Sequence, residues 1–246
     1  MGSYQFDGTN DHLHGSFTGI TDRPATLAHW SRITDFPTGR QSPLQIFDAS
    51  SIDDFMQANV QDNGSARTPR GEIGTDNGEW ACEAAAGISQ NTWFSGVAVF
   101  EAPNVRHAYL NGGDEGTESD GSGDMDGGID TIWLGRFRDG EFNFTGQMGY
   151  AFLWNVALSD SEVADWDNGD IPQVANLVAF YDLTQDHGAG PIPNEVNPGT
   201  FDLTISGATF TGAQTPPVSY QLGPAYPAVR VSWRNFPKPK MRTANR

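Results

Sequence analysis

Between Asn91 and Trp166 the chain alternates apolar and polar positions with a period of two, broken by turn residues, and this pattern predicts short β-strands. Trp93, Val97 and Val99 fall on one face of the first strand, with Phe94, Ala98 and Phe100 on the other. Val105–Leu110 forms a second strand that runs into Asn111-Gly112, a pair that tolerates the positive φ of a tight hairpin. Thr131–Leu134 and 149–156 read as a third and a fourth. Ser159-Asp160-Ser161-Glu162 then predicts one short helix. Ser159 can cap the free amides, Glu162 can reach back to complete a capping box, and the acidic residues suit the positive end of the helix dipole. The helix should end near Asn168-Gly169.

The same reading predicts further strands over 26–33, 44–48, 55–60 and 80–85. A buried strand follows at 177–183, with a final pair at 201–205 and 208–210. Turn clusters such as Asp62-Asn63-Gly64-Ser65 and Asp76-Asn77-Gly78 separate these pieces. No segment repeats at a fixed period, which argues against a propeller or solenoid.

The wording of the pieces resembles the laminin-G-like branch of the concanavalin A-like lectin/glucanase jelly rolls. Asn91 and Trp93 match that branch's N-T-W strand opening, and Tyr109, Asn111 and Gly112 its Y-x-N-G hairpin. Leu134, Gly135 and Arg136 match an L-G-R strand, Phe144 and Gly146 an F-x-G step, and Ala157, Leu158, Ser159 and Glu162 an A-L-S-x-x-E helix start. Phe6-Asp7-Gly8 with Asp11 is similar to the opening strand, and 177–183 to the closing one. The resemblance covers 4 to about 211 and is weakest over 37–90. It implies an all-β, concanavalin A-like (laminin-G-like) jelly-roll β-sandwich with one short helix, assigned to 1–214. The remainder, 215–246, is a Pro-rich basic arm in which closely spaced prolines favour an extended path over a packed domain.

Charge divides the chain in the same place. All 31 acidic residues lie at or before Asp202 alongside 8 basic ones, a formal −23, while Arg230 to Arg246 carry +6. An acidic body repels nucleic acid and anionic membrane surfaces, so neither is an expected partner. No run approaches the ~18–20 apolar residues of a membrane span. The single cysteine, Cys82, allows no intrachain disulfide and points to a reducing compartment of synthesis. Its alternation with Trp80, opposite Glu79 and Glu83, marks a core residue rather than a nucleophile. Met1-Gly2-Ser3 leads straight into strand-like residues, without the basic and apolar regions of a secretory signal.

Candidate chemistry is sparse. Retaining glycanases need two carboxylates about 5–5.5 Å apart, commonly as E-x-D-x-x-E on one strand. Here Glu118-Ser119-Asp120 is followed by Gly123 in a glycine-rich loop that cannot fix such a pair, so no enzyme is expected. The acidic run 114–130 concentrates hard oxygen ligands on pliable backbone, which suits Ca²⁺. Its candidate ligands are Asp120, Asp124, Asp126 and Asp130, with Asp7, Asn10 and Asp11 as a second contributor. The resemblance adds weight, since laminin-G-like jelly rolls often hold calcium at the sandwich rim; a plain solvated loop is the alternative. His12-x-His14 places two imidazoles on one strand face, a spacing open to a transition metal, with no third ligand nearby in sequence. Trp30, Trp80, Trp93, Trp133 and Trp154 alternate along strands and read mostly as core, and Trp166 as a packing lid.

Val229, Val231 and Trp233 alternate with Arg230, Ser232 and Arg234, and Asn235 to Lys240 then breaks the strand. That pattern suits docking onto another subunit, with Trp233 and Phe236 as anchors and Arg230, Arg234, Lys238 and Lys240 meeting an acidic surface. The expected function is therefore structural: an accessory protein of a large assembly, read as a bacteriophage virion, made in the host cytoplasm without a signal peptide. Its partners would be other subunits of that assembly and host-surface glycans. The alternative is a calcium-assisted carbohydrate-binding lectin module, and a glycanase is the third reading.

Overall fold

The computed structural model describes residues 1–36, 39–51, 53–62, 67–121, 125, 128–212 and 214–222. Among these, the chain runs through β1 (Ser3–Asp7), β2 (His12–Ser16), β3 (Ala25–Ile33), β4 (Arg40–Phe47), β5 (Phe55–Asp62), β6 (Arg67–Thr75) and β7 (Gly78–Glu83). It continues through β8 (Trp93–Ala102), β9 (Val105–Leu110), β10 (Gly113–Glu118), β11 (Thr131–Leu134) and β12 (Thr145–Trp154). After the helix α1 (Asp160–Asp167) come β13 (Leu177–Asp182), β14 (Thr204–Ser206) and β15 (Thr209–Thr211). The strands form two antiparallel sheets. The eight-stranded sheet has the order β10-β9-β8-β3-β12-β1-β15, with β13 also on β12. The seven-stranded sheet has the order β14-β2-β11-β4-β5-β6-β7. In the larger sheet β12 is the hub: β3 lines one edge, while β1 and β13 share the other, β1 on its first half and β13 on its second.

The alternation along β8 sorts its residues between two layers. Phe94, Ala98 and Phe100 enter the core between the sheets, beside Phe6, Leu44, Ile46, Met56, Ile132 and Leu153. Each of the larger side chains, the Phe, Leu, Ile and Met, contributes about 1.5–3 kcal/mol on full burial. Val97 and Val99 join a second apolar layer on the outer face of the same sheet, with Trp30, Phe152, Trp154 and Phe180. Helix α1 closes that layer with Val163 and Trp166. Its start is held as the capping box predicts, with the Ser159 amide donating to Glu162 Oε2 at 2.9 Å. Asn111 and Gly112 both take positive φ, 52° and 71°, as the hairpin between β9 and β10 requires.

Several expectations change. The opening segment is two strands, not one: Gly8 to Asp11 turns the chain, so β1 lies in the eight-stranded sheet and β2 in the seven-stranded one. The first part of the acidic run, Gly113–Glu118, is an edge strand whose exposed charges hide its period. Strand β6 had no sequence signature, because its outward positions are the polar Arg70 and Glu72. Of the segment assigned to the arm, 215–222 packs on the body, where Tyr220 and Leu222 are buried in the outer apolar layer. The Tyr220 hydroxyl donates to the Trp166 carbonyl at 2.6 Å and accepts from Trp30 Nε1 at 2.8 Å.

Candidate site on the outer face of the seven-stranded sheet

Strand register places one row of side chains across this whole face: Thr204, His14, Trp133, Gln45, Gln57, Glu72 and Ala81, one from each strand. Their neighbours along each strand, such as Leu13, Ile132, Leu44 and Met56, point into the core, so this row points away from it. The chain from Gly135 to Phe144 then folds over the middle of the face. Gln45 Nε2 donates to the Arg136 carbonyl at 2.9 Å, and the Ser42 amide donates to the Phe142 carbonyl at 3.0 Å. Arg138 stacks over Phe55 at 4.3 Å and Arg40 over Phe142 at 4.8 Å. Gly135 begins this crossing at φ 89°, where a side chain would also overlap the Phe6 ring, which accounts for the glycine in Leu134-Gly135-Arg136.

Beneath the crossing lies a buried polar cluster centred on Glu72. Its oxygens accept from Arg40 Nη1 at 2.8 and 2.9 Å, Arg70 Nη2 at 3.2 Å, Gln57 Nε2 at 2.5 Å and Asn59 Nδ2 at 2.7 Å. Burial pushes the Glu72 carboxyl above the ordinary range, and Arg70 and Arg40 pull it back. Arg40 also stands 3.8 Å from Glu79, between the two carboxylates. Two buried acceptors, Gln45 Oε1 and Asn59 Oδ1, have no hydrogen-bond partner among the described residues.

The more open end of the row is aromatic. The Trp133 ring is half-buried, with His12 tilted against it at 4.9 Å, the Phe47 edge at 5.5 Å and the Arg136 guanidinium at 5.6 Å. His12 packs on His14 at 5.0 Å and donates from Nδ1 to the Asn10 carbonyl at 2.9 Å. Burial, and secondarily His12, lower the pKa of His14, which keeps it neutral at neutral pH. The two imidazoles thus pack as a tilted aromatic pair. Trp80 and Trp93 are also half-buried, whereas Trp30, Trp154 and Trp166 are core residues as expected. Alternation along a strand gives Trp133 and Trp154 the same signature; only the layer packed above them separates the two.

The acidic candidates are distributed over three places. Asp7, Asn10 and Asp11 share the turn between β1 and β2, where Asp11 Oδ2 accepts the Asp7 amide at 3.0 Å and Asp7 Oδ1 accepts the Thr9 amide at 2.7 Å. Asp120 pairs with the buried Arg106. Asp130 Oδ1 accepts the Ala49 amide at 3.0 Å and the Thr131 hydroxyl at 2.7 Å, which ties down the loop after β4. Asp124 and Asp126 lie outside the described residues, as do Arg230, Trp233, Arg234, Phe236, Lys238 and Lys240. Among the described residues no group of three or more His, Cys, Asp or Glu is arranged to hold a metal ion. Cys82 is buried, and burial pushes its thiol up to about 12.

Comparison with known proteins places this geometry. The Laminin_G_3 family model, of the concanavalin A-like lectin/glucanases superfamily, matches residues 7–164. A search of curated proteins found no match. Among solved structures, a Bacteroides ovatus protein provisionally described as carbohydrate binding aligns with a TM-score of 0.58 at 19% identity, over 85% of this chain and 59% of that one. The heptameric SAP-like pentraxin of Limulus polyphemus aligns with a TM-score of 0.61 at 13% identity, over 85% of this chain and 93% of that one. The CBM40 of the Ruminococcus gnavus IT-sialidase, solved with α2,3-sialyllactose, aligns with a TM-score of 0.54 at 13% identity, over 68% and 96%. At such identities the likeness concerns the fold.

Proposed function

The chain belongs to the Laminin_G_3 family of concanavalin A-like lectins and glucanases, and from that footing we propose that it binds carbohydrate on the outer face of its seven-stranded sheet. One observation carries this reading: a half-buried Trp133 ring at the open end of the row, beside the half-buried His14 and the exposed Thr204. An indole offers the apolar face of a sugar a flat surface, while imidazole and hydroxyl groups beside it exchange hydrogen bonds with ring hydroxyls. The carbohydrate-binding structures that share the fold support the same reading. Binding without hydrolysis is the expected activity. Glu72 has both oxygens engaged by arginines and amides, and Arg40 stands between it and Glu79, which leaves no free acid–nucleophile pair. Calcium is not drawn into this reading, since the described candidate ligands serve a turn, a loop and Arg106.

A glycan array probed with the full chain tests the proposal. Trp133→Ala should lower affinity for the bound glycan at least tenfold, about 1.4 kcal/mol, while a chelator leaves affinity unchanged. Equal binding by the variant would move the site off this face, and loss of binding in the chelator would return it to the acidic loop.

A second reading, a subunit of a larger assembly such as a virion, is favoured by the division of charge between a −23 body and a +6 terminus. Recovery of the full chain with a sedimenting particle from its source would support it; recovery only as a free monomer would count against it.

A further inference from the structure

Strands β1 and β13 meet along one edge of β12, and a cavity of about 530 Å³ opens over their junction. Phe180, Phe210 and Tyr220 supply apolar walls. Asp182, Asp186 and Glu195 supply three carboxylates, and among the described residues the lining contains neither Lys nor Arg. Asp182 already accepts from the Thr184 hydroxyl at 2.6 Å and Gln185 Nε2 at 2.8 Å. Glu195 is half-buried; burial and then the nearby Asp182 raise its pKa, so a cation entering the cavity would relieve both penalties. An aromatic, acidic recess of this kind fits a basic segment that carries large apolar side chains.

The chain contains such a segment. Arg230, Arg234, Lys238 and Lys240 surround Trp233 and Phe236, and no acidic residue follows Asp202. Leu222, the last described residue before them, lines the cavity. At about 3.1 Å per residue when extended, the eleven residues from Leu222 to Trp233 can reach up to roughly 34 Å. That reach exceeds the roughly 10 Å width of a cavity of this volume and is long enough to bring Trp233 to another copy.

We infer that the Arg230–Lys240 segment of one chain docks in the acidic cavity of a second copy, with Trp233 as its anchor. The inference rests on the assembly reading above and names where the contact is made. Trp233 and Phe236 can each bury about 150–250 Å² there, and a reciprocal exchange would present the same contact twice in a closed dimer.

Crosslinking of the full chain tests this. Cys82 is buried with a raised pKa and stays silent, so a bis-maleimide reads only the introduced thiols of an Asp186→Cys, Lys238→Cys double variant. Asp186 is exposed, and an unchanged melting curve checks that the variant folds. The expected product is a covalent dimer at micromolar protein, reduced at least tenfold by Trp233→Ala and weakened by salt. A covalent link within one chain would overturn exchange between copies. Self-association by light scattering with no crosslink would overturn the cavity and leave the assembly reading standing. A chain that stays monomeric and uncrosslinked would overturn both.

Discussion

The outer faces of the two sheets are covered in opposite ways. Over the eight-stranded sheet, Phe152, Trp154, Trp166, Phe180 and Tyr220 interleave, with Phe152 stacked on Phe180 at 4.2 Å and Trp166 on Tyr220 at 5.7 Å. Over the seven-stranded sheet, the covering chain presents Arg136, Arg138, Phe137 and Phe142 to a row of glutamines, an asparagine and Glu72. An apolar layer gains free energy from area alone and holds a helix in place without further partners. A polar layer is stable only while its hydrogen bonds are met, and among the described residues Gln45 Oε1 and Asn59 Oδ1 have no partner. The first face is built for support. The second leaves Trp133, His14 and Thr204 partly open at its edge.

The sharpest way to break this comparison is to empty the first layer. Trp166→Ala removes a fully buried indole that touches Trp30, Phe152, Trp154 and Tyr220, and should cost about 3–5 kcal/mol in a urea unfolding titration. Trp133→Ala, the same change on the other face, should cost far less stability while removing glycan affinity. Equal stability losses would mean that the two faces play the same part.

A smaller effect is expected from the polar layer. Glu72→Gln leaves Arg40, among the described residues, with only Glu79 at 3.8 Å and takes the carboxylate from Arg70, and breaking a fully buried pair costs about 3–5 kcal/mol. Their side chains keep 16% and 18% exposure, so water screens part of the loss and about 2–3 kcal/mol is expected. A neutral result by chemical denaturation would show that this cluster does not hold the 135–144 crossing.

The supporting face was legible in sequence and the ligand face was not. Val97 and Val99 against Phe94 and Phe100 assign two layers from alternation alone, and the Asn111-Gly112 turn and the Ser159–Glu162 box fix a hairpin and a helix start through contacts a few residues long. The row from His14 to Glu72 joins residues up to 119 positions apart, from Trp133 to His14, through strand register, which no local pattern encodes. Strand β6 escaped detection because its outward Arg70 and Glu72 are polar, and their pairing, with Glu72 fully buried and Arg70 half-buried, leaves no apolar alternation. Tyr220 was assigned to the arm because of the nearby Pro216 and Pro217, yet its ring fits the apolar layer and its hydroxyl finds both Trp30 and Trp166. Proline spacing disfavours helix and strand without preventing packing.

Acid acts on the interior that both faces share. His29 lies on β3 with its ring between the sheets, Nδ1 at 2.8 Å from the Ser31 hydroxyl and Nε2 without a partner among the described residues. Complete burial lowers its pKa from the ordinary 6.5 to about 3, because a charged imidazole there would lose its hydration. The folded value lies below the unfolded one. Between those two values the unfolded chain therefore holds one more proton, and stability falls as pH falls. The slope should approach about 1.4 kcal/mol per pH unit, with the contribution fully present above about pH 6.5 and lost progressively toward pH 3. Urea midpoints at pH 7.0, 6.0 and 5.0 for the native chain and His29→Gln isolate this group, since the other titrating residues are common to both. The variant should lose the slope that His29 contributes and keep the rest. Parallel curves would mean that His29 meets water or a partner in solution, and that acid sensitivity arises from the polar face instead.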